Sequence, residues 1–170
     1  MMASNRAVRS LVMVLALHAA AGCALIEGRG LVPGKSTRAE VLEEMGKPAM
    51  TVSRPNGDTL LYFTREPFGR ATYVATLGRD DLFRGMDQRL VYANIYAVRA
   101  GMREQEVREL LGPPMSITRL PRQERNVWEY RWRHAVRELR VLWVQFGDDG
   151  VVREAVELHD HEFDPENDRG

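Results

Sequence analysis

Residues 34–48 read GKSTRAEVLEEMGKP and residues 101–114 read GMREQEVRELLGPP, and the fold follows from setting one against the other. Aligned on the glycine near each end, Glu40 matches Glu106, Val41 matches Val107, Met45 matches Leu111, Gly46 matches Gly112 and Pro48 matches Pro114. The first copy carries one extra residue after its opening glycine. Val41 and Met45 lie four apart, as do Val107 and Leu111, so each copy predicts a short helix with one apolar face. Thr37 and Glu40 have the spacing of a capping box, in which the hydroxyl accepts an N–H bond and the carboxylate reaches back. Arg103 stands where the first copy has Thr37, which predicts a less well capped start. Gly46 and Gly112 suit the left-handed residue that ends a helix, and the proline two positions on prevents continuation. Helices this short depend on packing against a sheet.

Working outward, each copy runs into strand-like sequence. After the first, MTVS leads through Pro55-Asn56-Gly57 to TLLYFT, a hairpin signal, and ATYVATL and FRGMDQRLVY supply two more segments. After the second come MSIT, VWEYRWR, VRELRVLWVQF and VVREAVEL, with the turn Gly147-Asp148-Asp149-Gly150 joining the last two. The expected fold is α+β: two tandem repeats, each a short helix packed on about four antiparallel strands. One unit of about 60 residues would be marginal alone, and two side by side can share a core. We place repeat one at 33–91, a bridge at 92–100, repeat two at 101–158 and an acidic, disordered tail at 159–170. In the bridge, YANIYAV (92–98) presents Ile95 and its aromatic neighbours as anchors.

The N-terminus reads RSLVMVLALHAAAGCALIEGRG, residues 9–30, and holds Cys23, the one cysteine of the chain. Arg6 and Arg9 form a positive start, and Leu11 to Leu17 an apolar segment too short for a permanent span, which needs about 20 residues. That is the pattern of an export signal. Ala19-Ala20-Ala21 allows an ordinary cleavage site, and an uncleaved anchor is a further alternative. AAGC, however, resembles the lipobox of bacterial lipoproteins. The resemblance implies a signal peptide at 1–22, a diacylglyceryl (palmitate-type) modification on Cys23, and a lipidated N-terminus and linker at 23–32. Ala24 in place of an aspartate then implies the outer membrane, on its periplasmic face. Ala24 to Val32 reach at most about 30 Å when extended, so the globular part would stay close to the lipid.

Composition excludes some classes. The 170 residues carry 24 basic and 24 acidic side chains, so the balance implies no nucleic-acid partner. All but two of the basic residues are arginine, which suits surfaces paired with carboxylates. One cysteine cannot form an internal disulfide. There is no Gly-x-Ser-x-Gly elbow, Walker loop or His-Glu-x-x-His helix, and a lipidated Cys23 is consumed as a nucleophile. HDHEFDPEND (159–168) has metal-ligand residue types, but an acidic, terminal, proline-containing run reads as solvated chain. We therefore expect no catalytic residues, no metal and no cofactor.

VWEYRWR (127–133) is more informative. Trp128, Tyr130 and Trp132 alternate with Glu129, Arg131 and Arg133, giving one aromatic and one charged face. The aromatic face is either core beneath the helix or a recognition surface. LRVLWVQF (139–146) is apolar on both faces, since Val141 and Trp143 oppose Leu142, Val144 and Phe146. That surplus means burial on both sides or an exposed aromatic surface open to a partner. As a recognition face, Trp128, Tyr130 and Trp132 would form one row and Leu139, Val141 and Trp143 a neighbouring one, with Arg131, Arg133 and Arg140 beside them.

The helix pattern, the aromatic strand W-x-Y and the later V-x-F-x-x-x-G-x-V resemble the SmpA/OmlA (BamE-like) domain of small outer-membrane lipoproteins, over residues 31–158. The tandem layout is similar to the β-lactamase inhibitor protein fold. The first resemblance implies a lipid-anchored, non-enzymatic scaffold that binds an envelope protein, in outer-membrane assembly or maintenance. The second implies an envelope-attached enzyme-inhibitor or ligand-binding module.

Overall fold

Helix α1 (Arg38–Met45) begins where Thr37 and Glu40 close the capping box: the Thr37 N–H donates to Glu40 Oε2 at 2.6 Å, and the Glu40 N–H to Thr37 Oγ1 at 3.4 Å. The structure, a computed structural model, describes residues 28–65, 70–135 and 138–160. The signal segment, Cys23 and the tail beyond Asp160 lie outside the described residues. Four strands follow α1: β1 (Met50–Ser53), β2 (Thr59–Thr64), β3 (Thr72–Leu77) and β4 (Phe83–Gln88). A short helix α2 (Tyr92–Ile95) leads to α3 (Glu104–Leu111), then β5 (Ser116–Leu120), β6 (Arg125–Ala135), β7 (Glu138–Phe146) and β8 (Val152–His159). Each set of four forms an antiparallel meander in chain order. The fold is α+β with two repeated units.

The two helices start and stop for the same reasons. At α3 only half the box survives: the Arg103 N–H donates to Glu106 Oε2 at 2.7 Å, and arginine has no acceptor to return. Gly46 and Gly112 end the helices at φ +84° and +90°, with ψ near ±160–175°, a region open to glycine alone. Their N–H groups bond Leu42 and Arg108 carbonyls at 2.9 and 2.8 Å, satisfying one free carbonyl at each end.

A backbone latch also repeats. Ahead of α1, Gly34 N–H donates to Phe83 O, Phe83 N–H to Ser36 O, and Arg38 N–H to Asp81 O, at 2.7, 2.8 and 3.1 Å. Ahead of α3, Gly101 bonds Val152, Val152 bonds Met102, and Glu104 bonds Gly150, at 2.9, 2.8 and 3.0 Å. Each latch ties the chain before the helix to the turn between the last two strands. It fixes the angle at which the helix crosses its sheet.

Each helix buries its apolar pair on one face of its own sheet. Val41 and Met45 pack with Leu61, Phe63, Ala75, Leu77 and Phe83. Val107 and Leu111 pack with Trp128, Tyr130, Trp132, Leu142, Val144 and Phe146, joined by Leu90, Ile95 and Val98. The bridge therefore belongs to the core of the second unit. The units do not share one core; a third cluster of Leu60, Tyr62 and Val74 lies on the other face of the first sheet.

That other face meets the second unit. The Tyr62 hydroxyl donates to Glu109 O at 2.8 Å, Arg54 pairs with the Glu109 carboxylate at 3.2 Å, and a Cβ on Gly112 would stand 2.6 Å from Thr72 Cγ2. Arg70 and Asp160, both nearly buried, pair at 2.9 Å across the same junction. Here the structure corrects the expected boundary of the tail. β8 runs to His159, and Asp160 is buried with its N–H on Leu139 O at 3.2 Å, so both residues belong to the folded unit.

Candidate functional site

The backbone pairing makes each position of one sheet comparable with a position of the other. Ala49 N–H donates to Tyr62 O and Met115 N–H to Glu129 O, both at 2.8 Å, so Tyr62 and Glu129 are equivalent. Val74 pairs with Tyr62, and Trp143 pairs with Glu129, so Val74 and Trp143 are equivalent too. Val74 is 0 % exposed, covered at the junction of the units, whereas Trp143 is 38 % exposed. Among the described residues, the face that the second unit covers on the first sheet has no such cover on the second.

This open face is built from alternate positions of three strands. β6 brings Glu129 and Arg131, β7 brings Val141 and Trp143, and β8 brings Leu158. Together with Glu157, His159 and Asp160 they line a shallow groove of about 500 Å³. The Trp143 indole N–H donates to Glu129 Oε2 at 3.1 Å, while Arg131 Nε holds Glu129 Oε1 at 3.1 Å. One carboxylate thus pins the indole and ties down a guanidinium beside it. A pinned aromatic loses less rotamer freedom on binding than a loose one, which favours contact with another protein.

Trp128, Tyr130 and Trp132 do not belong to this face. They are 2, 1 and 1 % exposed beneath α3, and the Tyr130 hydroxyl donates to Gly112 O at 3.1 Å. Burial pushes the Tyr130 phenol well above its usual range. Arg108 lies over the Trp128 ring at 4.5 Å from its centroid. The expected double row of aromatics is therefore corrected: Trp128 pairs with Val144 and Tyr130 with Leu142, so their neighbours across the ladder are core residues, not Trp143. Of the residues expected to bind, Val141 and Trp143 lie on the open face, with Val141 itself mostly covered. Arg131 and Arg133 share that face; Arg140, paired with Trp132, does not.

A second aromatic group was not anticipated as exposed. Ile95 anchors α2 in the core, but Tyr92 and Tyr96 stand out from it at 61 and 52 % exposure, their ring centroids 4.2 Å apart. The Tyr96 hydroxyl donates to Glu157 Oε2 at 2.5 Å, and that bond raises its pKa to about 12. Their spacing of four residues puts them on one face of the short helix. Ile95, one residue before Tyr96, takes the inward place.

Among the described residues no group of three or more His, Cys, Asp or Glu side chains is placed to hold a metal ion.

No protein-family model matches the chain, and no curated protein matches it. Solved structures similar to it at low scores include the following two. One is a DUF4309 family protein, YjgB, from Bacillus subtilis, with 19 % identity over 77 % of this chain and 82 % of that one, at a TM-score of 0.30. The other is described as a candidate β-lactamase inhibitor protein from Streptococcus mutans, with 14 % identity over 72 % of this chain and 82 % of that one, also at 0.30. Neither description names the SmpA/OmlA domain. Likenesses at this score carry no argument about function, which rests here on the geometry of the second sheet.

Proposed function

We propose that the chain is a non-enzymatic, protein-binding module of the inhibitor type, tethered to the bacterial envelope through Cys23. The observation that carries this reading is the pinned, partly exposed Trp143, at a position whose counterpart Val74 is buried between the units. A sheet face of this kind accepts a loop or edge of a partner. The indole is the anchor, and the ion-paired residues around it form the polar rim. With the first unit beginning within about 30 Å of the lipid, the module would meet enzymes working near the membrane surface and block their access to substrate.

The second reading is a scaffold in outer-membrane assembly or maintenance. It is favoured by the lipobox-like AAGC and by the repeated helix motif, with its resemblance to the SmpA/OmlA domain. One experiment separates the two. A photo-crosslinking residue at position 143 is activated in living cells and the adduct identified, with the similarly exposed position 91, just before the bridge, as control. An enzyme whose activity falls on addition of the purified chain supports inhibition. Barrel-assembly proteins support the scaffold, and adducts equal at both positions refute a site at Trp143.

A further inference from the structure

The groups around Trp143 determine what kind of side chain fits over it. Its indole N–H is already given to Glu129 Oε2 at 3.1 Å, so the ring offers an incoming group its π face and no hydrogen bond. Three carboxylates, Glu129, Glu157 and Asp160, line the groove beside it against one guanidinium, Arg131. Arg131 Nε is held by Glu129 Oε1 at 3.1 Å, and Asp160 is matched from the first unit by Arg70 at 2.9 Å. Glu157 is the carboxylate in excess. Its Oε2 takes the Tyr96 hydroxyl, while its Oε1 accepts no hydrogen bond among the described residues. Arg140 Nε stands 4.0 Å from that oxygen and donates to Glu138 at 2.9 Å instead. We propose that the group a partner seats on Trp143 is cationic, an arginine or lysine side chain stacked on the indole. The proposal rests on the reading of this face as a protein-binding site and adds the chemistry of the partner.

Three observations carry it. The first is the ring itself. Tryptophan attracts a cation more strongly than the other aromatic side chains, because its π face is negative. A hydrogen bond to a carboxylate polarises the indole further in that direction, and the same bond keeps the ring in place before a partner arrives. The second is charge. With Arg131 and Arg70 each matched to a carboxylate, Glu157 leaves the groove negative, which draws in a cation and disfavours an acidic group. Arg133 shares the face but does not line the groove. The third is that the second unit already makes this contact on the other side of its sheet, where Arg108 lies over the Trp128 ring at 4.5 Å from the centroid. There the guanidinium comes from the unit's own helix; at Trp143 the partner supplies it.

The test compares two capped tripeptides, glycine-arginine-glycine and its counterpart with citrulline, the neutral isostere of arginine. Each is titrated into the isotopically labelled full chain, and the indole N–H resonance of Trp143 is followed by NMR, assigned by its loss in Trp143→Phe. The arginine peptide should shift this resonance saturably, and the citrulline peptide should bind about tenfold more weakly. Glu129→Gln keeps an acceptor for the indole and removes the charge, so the preference for arginine should fall at an unchanged melting temperature. Equal binding of the two peptides overturns the proposal, as does the lack of a saturable shift from either. A preference for arginine that is undiminished in Glu129→Gln overturns it too. A protein adduct from this face combined with equal peptide binding would keep the protein-binding reading and remove the cationic anchor. A clear preference for arginine with no protein adduct would keep the cation site and remove the protein-binding reading.

Discussion

The Tyr62 hydroxyl donates to the backbone oxygen of Glu109 at 2.8 Å, so a side chain of the first sheet closes the end of α3. Carbonyls in the last turn of a helix have no partner within it, and this one is satisfied from the other unit. Tyr62 is buried and the bond part-buried, so water competes poorly for it. The bond makes the two units interdependent.

Tyr62→Phe removes that donor and leaves the part-buried Glu109 carbonyl without it. The expected loss is about 1–3 kcal/mol, read as a lower denaturant midpoint at unchanged slope. A midpoint equal to that of the unaltered chain would show that the hydroxyl does not join the units.

Gly46→Ala and Gly112→Ala should differ although the helices match. Both place a side chain at positive φ, which costs about 1–3 kcal/mol. A Cβ at Gly46 meets open space, while one at Gly112 meets Thr72 Cγ2 at 2.6 Å, so the second substitution should cost more. Thr72→Ser should recover part of the loss at Gly112 and none at Gly46. Equal melting temperatures for the two alanine variants would contradict the close approach of the units at Gly112.

Trp128→Ala and Trp143→Ala should separate core from surface within one sheet. Loss of the buried Trp128 should cost about 3–5 kcal/mol. Trp143→Ala should leave the melting temperature nearly unchanged and abolish adduct formation from a crosslinker placed beside it at Val156. Circular dichroism melts and the crosslinking yield decide the matter together.

Tyr96 should ionise late. The bond to Glu157 raises its pKa from 10 to about 12, so spectrophotometric titration should show one tyrosine near pH 12 that returns toward 10 in Glu157→Gln. Because the folded-state pKa is the higher one, the stabilisation is full below about pH 10 and is lost as pH rises through 12. A titration curve identical in the variant would place the Tyr96 hydroxyl elsewhere.

Cys23 should carry lipid. Cells fed a labelled fatty acid should yield labelled protein, and Cys23→Ser should abolish the label. A mature chain that retains residues 1–22 would rule out the lipobox reading of AAGC.

The sequence alone determined the repeated helix, its stop at Gly46 and Gly112, and the strands that follow. These are local matters: capping residues, apolar residues four apart, positive-φ glycines and alternating strands act within a few positions. Even the strand bounds of MTVS and TLLYFT are those seen in the structure. Which face of each sheet would be covered is not local. Alternation puts Trp128 and Tyr130 on one side of β6 and Glu129 on the other, and so binds Trp143 to Glu129 once the register is known. The register depends on pairing between strands, and β7 is apolar on both sides, so its sequence alone leaves open which side the helix takes. The latches at Gly34 and Gly101 are backbone bonds that no side chain announces. Only the tertiary structure decided that the C-terminal end of α3 covers the Val74 face of the first sheet, because that depends on how one unit docks on the other. The same docking buries Val74 and leaves Trp143 exposed, since among the described residues nothing covers the second sheet as the end of α3 covers the first.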